Sequence, residues 1–128
     1  MTGHTRICIL SLGMKGLRWE GSSRKDARAF PKDARKRAGY ELYRVQVGEP
    51  ASDWRVMPSV GAGVNEIRIH TKREHRVLYI AKFEEAIYVL HAFEKKTRKT
   101  TKADIQLGKS RLKTLLERRR VRERTRRE

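Results

Sequence analysis

Between Val64 and Glu94 the chain reads VNEIRIHTKREHRVLYIAKFEEAIYVLHAFE, and this patterning leaves little freedom of fold. Side chains alternate between the two faces of a strand. Ile67 and Ile69 alternate with Glu66, Arg68 and His70, which makes a first strand half buried. In a second, Val77, Tyr79, Ala81 and Phe83 share one face, and Arg76, Leu78 and Ile80 share the other. The third, Ala86 to Phe93, is apolar on both faces and so belongs at a central, covered position. Only Phe83-Glu84-Glu85 joins the last two, so they are antiparallel neighbours.

The flanking segments read as helices. Leu17 to Glu20 forms a short strand, and Gly21-Ser22-Ser23 a turn. Ser23 with Asp26 three residues on is an N-cap signature for a short helix to about Phe30. Pro31 suits the first turn of a second helix. Its apolar face is Ala34, Ala38, Leu42 and Val45, with Lys32, Arg35, Lys36, Arg37 and Arg44 between them as a basic face. Gly48-Glu49-Pro50 ends it. Residues 50 to 63 read as a loop, anchored on the domain body by Trp54 and Met57. Thr101 and Asp104 repeat the capping signature ahead of a last helix with a stripe of Ile105, Leu112, Leu115 and Leu116, weakened by Gly108. Nine basic and three acidic residues fall between Arg111 and Glu128, so this end should project or fray. The order helix, helix, sheet, helix predicts an α+β fold: two N-terminal helices on one face of a small antiparallel sheet, then a C-terminal helix, with the other face free for a basic groove.

At 128 residues this is one domain. The core domain is expected at 14–118, with an N-terminal extension at 1–13 and a basic tail at 119–128. The extension carries a short apolar patch, Ile7 to Leu12, too short for a signal segment. No apolar run approaches the ~20 residues that cross a bilayer, and the basic C-terminal helix is too poor in large apolar residues to lie on a membrane. One cysteine, Cys8, excludes an internal disulfide and a cysteine-based zinc site and fits a reducing, cytoplasmic setting. His4, His70, His75 and His91 have no metal-ligand spacing.

Lysine and arginine number 32 against 15 acidic residues, a net charge of +17. Such a field draws polyanions. Arg68 and Arg76 sit inside strands, and Lys95, Lys96, Arg98 and Lys99 cluster where the third strand ends. His70, Lys72, Arg73 and His75 flank the hairpin turn and are candidates for phosphate contacts, which position without specifying sequence. Phe93 is either a stacking platform for a base or core. His91, alternating with Val89 and Phe93, is expected to be buried and hydrogen-bonded.

The stretches WEGSSRKDARAFP, GAGVNEIRI, HRVLYIAKF and above all AIYVLHAFEKKTRKT followed by KADIQL resemble the HigB-like, phage-derived toxins of the RelE/ParE superfamily over residues 15 to 118. These toxins belong to bacterial type II toxin–antitoxin modules. The resemblance implies a RelE/ParE-like fold and a cytoplasmic, ribosome-dependent endoribonuclease that cuts messenger RNA without metal or cofactor. The 2′-OH would attack its own phosphodiester and leave a 2′,3′-cyclic phosphate, with a base, an acid and cations around the phosphorane. Arg76 matches the family's strand arginine and would clamp the scissile phosphate; Arg68 falls where relatives place a basic residue facing the same way. Lys95 and Lys96 match the lysine pair at the strand end, where relatives carry proton-transfer groups; neighbouring cations would lower a lysine pKa toward such use. No tyrosine stands near Lys95, and Glu66 occupies a position where some relatives are basic. The implied partners are the ribosome, messenger RNA and a HigA-like helix-turn-helix antitoxin. Two other readings remain open: a ParE-like inhibitor of DNA gyrase, and a non-catalytic basic RNA-binding domain.

Overall fold

Alternation along the three central strands builds a sheet with an apolar layer on each side. The computed structural model describes residues 13–127, so nearly all of the expected N-terminal extension lies outside the described residues. The elements are β1 (Gly16–Trp19), α1 (Ser23–Arg28), α2 (Lys32–Gln46), β2 (Trp54–Val56), β3 (Val64–His70), β4 (Glu74–Ile80), β5 (Ala86–Glu94) and α3 (Lys102–Arg127). The strands lie in the order β1-β5-β4-β3-β2. β2, β3, β4 and β5 are antiparallel to their neighbours, but β1 joins β5 in parallel, Gly16 opposite Ala86. The sheet is therefore mixed rather than purely antiparallel. The two-helix crossover α1–α2 between β1 and the rest is long enough to permit that parallel pair. Every residue from Ala86 to Phe93 is buried, as expected of a strand covered on both faces.

The helices are not confined to one face. On one side, Ala34, Ala38, Leu42 and Val45 of α2 and Ala27 of α1 pack on Ile67, Ile69, Val77, Tyr79, Ile87 and Val89. On the other, α3 lays Leu112 and Leu115 on Val64, Leu78, Ile80, Tyr88 and Leu90. Gly108 explains how closely it approaches: a β-carbon there would sit 3.0 Å from Val60 Cγ1 and 3.1 Å from Leu78 Cδ1. The residue that lowers helix propensity is the one that lets α3 reach the sheet.

Other local expectations also change. Ser22, not Ser23, stands at the N-cap of α1; Ser23 is buried and its hydroxyl donates to Val89 O at 3.1 Å. The segment read as loop contains β2, three residues being too short to show a period, and Trp54 is 44% exposed whereas Met57 is buried. The α3 cap is as read: Asp104 N–H donates to Thr101 Oγ1 at 3.2 Å. The helix runs on to Arg127, with residues 121–127 exposed as a projecting end; Arg118 donates to both oxygens of buried Glu20 at 2.9 Å and Arg119 stacks 3.7 Å over the Phe83 ring, tying down its middle. Glu41, on the apolar face of α2, is buried too; it accepts from Ser52 N at 2.5 Å and Ser52 Oγ at 2.7 Å and fastens the loop to the helix.

A candidate polyanion-binding groove

α3 covers only part of its face of the sheet. Beside its first turn, an open groove of about 470 Å³ remains. Five cations line it: Arg55 from β2, Arg68 from β3, Lys95 at the end of β5, and Arg98 and Lys99 from the following loop. The strand period explains the gathering. Arg55 pairs with Glu66, Arg68 with Arg76, and Arg76 with Phe93, so all these side chains lie on one face.

Behind the groove sits Glu66, with no exposed surface. It accepts from Arg55 Nε at 3.0 Å and Thr100 Oγ1 at 3.3 Å, and Arg76 Nε lies 3.7 Å away. Glu66 thus pins the basic loop to the sheet. Arg76 is 2% exposed; its Nη1 donates to Glu74 at 3.0 Å and to His75 O at 2.9 Å. Buried Nε atoms of both Arg68 and Arg76 have no hydrogen-bond partner among the described residues. Orphaned buried donors are rare and mark unfilled sites or stored strain.

Burial pushes the Lys95 ammonium below the ordinary lysine value, and Arg76, Arg55 and Arg68 push the same way against the pull of Glu66. Lys96 points elsewhere. It is 79% exposed, lies 3.7 Å from Glu94 and is not in the groove lining. Arg76 lies beneath the groove rather than in its wall, whereas Arg68 faces it.

Of the expected RNA-contacting residues, Arg98 is in the groove. Lys72 and Arg73 are exposed at the hairpin turn, and Arg73 reaches Glu94 at 3.3 Å. His70 is held by Asp53 at 2.5 Å and Glu74 at 2.7 Å, and these bonds raise its pKa, Asp53 most. His75 is buried, its ring 4.4 Å from that of Phe30, because its register turns it toward α1. Phe93 is 9% exposed and packs in the core beneath α3. His91 is buried and bonded to Asp104 at 2.7 Å. Arg55 was not legible, since its strand was too short to recognise. Among the described residues no group of three or more His, Cys, Asp or Glu is placed to hold a metal ion, and no helix is long and apolar enough to cross a membrane.

Residues 25–113 match the family of phage-derived Gp49-like proteins (DUF891). The chain belongs to this family. Gp49-like proteins fall within the RelE/ParE-like toxins and are associated with toxin–antitoxin systems. The matched span is more than two thirds of the chain and contains every residue of the groove. No curated protein matches the sequence.

Proposed function

We propose that this Gp49-like protein is the toxin of a type II toxin–antitoxin module and a cytoplasmic, ribosome-dependent endoribonuclease that cuts messenger RNA without a metal. The observation that carries the reading is a lysine of lowered pKa set among arginines in an open groove. Arg68, with a buried Nε lacking a partner, would bind the scissile phosphate. Lys95, as a free amine, would take the 2′-OH proton as the 2′ oxygen attacks phosphorus; as an ammonium, it would protonate the departing 5′ oxygen. The products are a 2′,3′-cyclic phosphate and a 5′-OH. Arg76 supports the phosphorane charge from beneath, and Arg55, Arg98 and Lys99 hold flanking phosphates. An antitoxin would neutralise such a surface by covering it or by holding the toxin away from the ribosome.

The test is primer extension on a translated message, with and without ribosomes. Ribosome-dependent cuts that vanish in Arg68→Ala and Lys95→Ala are expected. Intact messages with inhibited supercoiling would show gyrase to be the target. Growth arrest that survives both substitutions would leave a non-catalytic RNA-binding domain.

A further inference from the structure

α3 outruns the sheet it packs on. Leu115 is its last buried residue. Arg118 is then tied to Glu20, and Arg119 to Glu85, which also accepts from the Tyr88 hydroxyl at 2.8 Å. From Arg120 to Arg127 every residue is exposed. Five of these eight are arginine, against the single acid Glu123. Among the described residues no carboxylate pairs with any of the five. This arm lies beyond residues 25–113, the span that matches the Gp49-like family. At about 1.5 Å of rise per residue, Arg120 stands roughly 22 Å along the helix from Ile105 in the groove wall. A phosphate bound in the groove is therefore out of its reach.

The arginines fall in two rows. At about 3.6 residues per turn, Arg120, Arg124 and Arg127 run along one flank of the helix, and Arg122 and Arg126 along the other. Val121 and Thr125 form an uncharged strip between the rows, and Glu123 lies behind, on the far side of the helix from that strip. Val121 is 56% exposed, a large apolar side chain with no packing role in the domain. The Thr125 hydroxyl donates to Val121 O at 3.0 Å and so is spent on the helix backbone. Cations on both flanks of an uncharged strip, with the acid behind, suit a ligand that walls the helix with phosphate on two sides. B-form DNA does this: its major groove is about 12 Å wide and admits an α-helix. Thymine methyl groups on its floor take apolar contacts of the kind Val121 offers. The A-form major groove of duplex RNA is too deep and narrow for a helix. A flat acidic protein face would meet one row and not both. A second copy of the chain would bring another +17 of charge.

We propose that residues 120–127 are a DNA-binding arm that lies in the major groove of B-form duplex, with one arginine row on the phosphates of each strand. Such contacts position the helix with little choice of sequence. The proposal goes beyond messenger-RNA cleavage and does not rest on it. Its test is fluorescence anisotropy of the full chain with a short labelled DNA duplex, and with an RNA duplex of the same sequence, across a range of salt. The DNA should bind with a Kd on the order of 10⁻⁶–10⁻⁴ M at physiological salt. The double variants Arg120→Gln/Arg124→Gln and Arg122→Gln/Arg126→Gln should each weaken it about tenfold or more and reduce the salt slope by about two. Val121→Glu, which sets an acid on the strip, should weaken it as much; Glu123→Gln, behind the helix, should not. All these positions are exposed, so circular dichroism should show the parent fold in each variant. Equal binding of the RNA duplex with the same losses would overturn the proposal and make the arm a phosphate contact for any duplex. Loss in the variant of one row only, a Val121→Glu variant that binds like the parent, or DNA binding untouched by every arm substitution would overturn it too, as would no DNA binding at all. Displacement of the DNA by an equal concentration of polyglutamate would make the arm a surface for an acidic protein instead.

Discussion

Glu66→Gln keeps the shape of the carboxylate and removes the one negative charge buried under five groove cations. Three contacts set the cost. Arg55 is half exposed, so its bond at 3.0 Å is worth at most about 1 kcal/mol. The Thr100 hydroxyl at 3.3 Å contributes about 1 kcal/mol, part of which an amide oxygen retains. The largest contribution is from Arg76, buried and 3.7 Å away. Breaking a buried pair typically costs about 3–5 kcal/mol, but Glu74 still holds Arg76 Nη1 at 3.0 Å. The expected loss is therefore about 2–3 kcal/mol in urea unfolding, short of unfolding a domain of ordinary stability. The same change removes the one group that raises the Lys95 pKa against its three arginine neighbours. The lysine limb of the pH–cleavage profile should move to lower pH. Wild-type stability together with an unmoved profile would refute the assignment of Glu66 as counter-charge to the groove.

The two adjacent lysines should separate cleanly: Lys95→Met should reduce ribosome-dependent cleavage by about 10²-fold or more, as expected for loss of a proton-transfer group, and Lys96→Met should cleave like the parent in the same primer-extension assay. Gly108→Val should destabilise by about 1–3 kcal/mol despite a better helix former, because Val60 and Leu78 leave no room; chemical denaturation reads this. His70, whose pKa is raised by Asp53 and Glu74, contributes stability that is fully present below the ordinary value of 6.5 and lost as pH rises through its folded value. Glu74, lowered chiefly by His70 and further by Arg76, contributes stability lost as pH falls through its own folded value. Thermal unfolding across pH should show both slopes in the parent, and the alkaline one should flatten in His70→Gln.

The sheet was legible because β3 and β4 alternate with a period of two over seven residues and β5 is apolar on both faces, and α2 because Ala34, Ala38, Leu42 and Val45 recur at helical spacing. β2 was not, being three residues long, nor was the parallel pairing of β1, which depends on how a crossover packs rather than on any local pattern. Placing α3 on the opposite face turned on Gly108, which reads in sequence as a weakness and in space as a close contact. In the site, alternation alone put Arg68 and Arg76 on one face, and it also separates Lys95 from Lys96. What sequence could not show was depth. Arg76 lies under the groove because buried Glu66 and partly exposed Glu74 supply partners for it, and His75 faces α1 because its register is odd where that of Arg76 is even.

Arg68 stands directly across from Arg76. Like charges at such positions destabilise a sheet. Glu74 and Glu66 compensate Arg76, whereas no carboxylate pairs with Arg68 among the described residues, and its buried Nε lacks a hydrogen-bond partner. The groove is thus held at a cost that a bound phosphate would relieve. Arg68→Met should then be more stable than the parent without ligand, by about 0.5–1 kcal/mol, the usual size of a cross-strand effect. Adding a short RNA that binds the groove at a hundred times its Kd should stabilise the parent by about 2.7 kcal/mol, and the variant by much less. Thermal unfolding with and without a non-cleavable 2′-deoxy oligonucleotide measures both quantities. A variant less stable than the parent would mean that Arg68 is a structural residue, and the groove would lose its phosphate clamp.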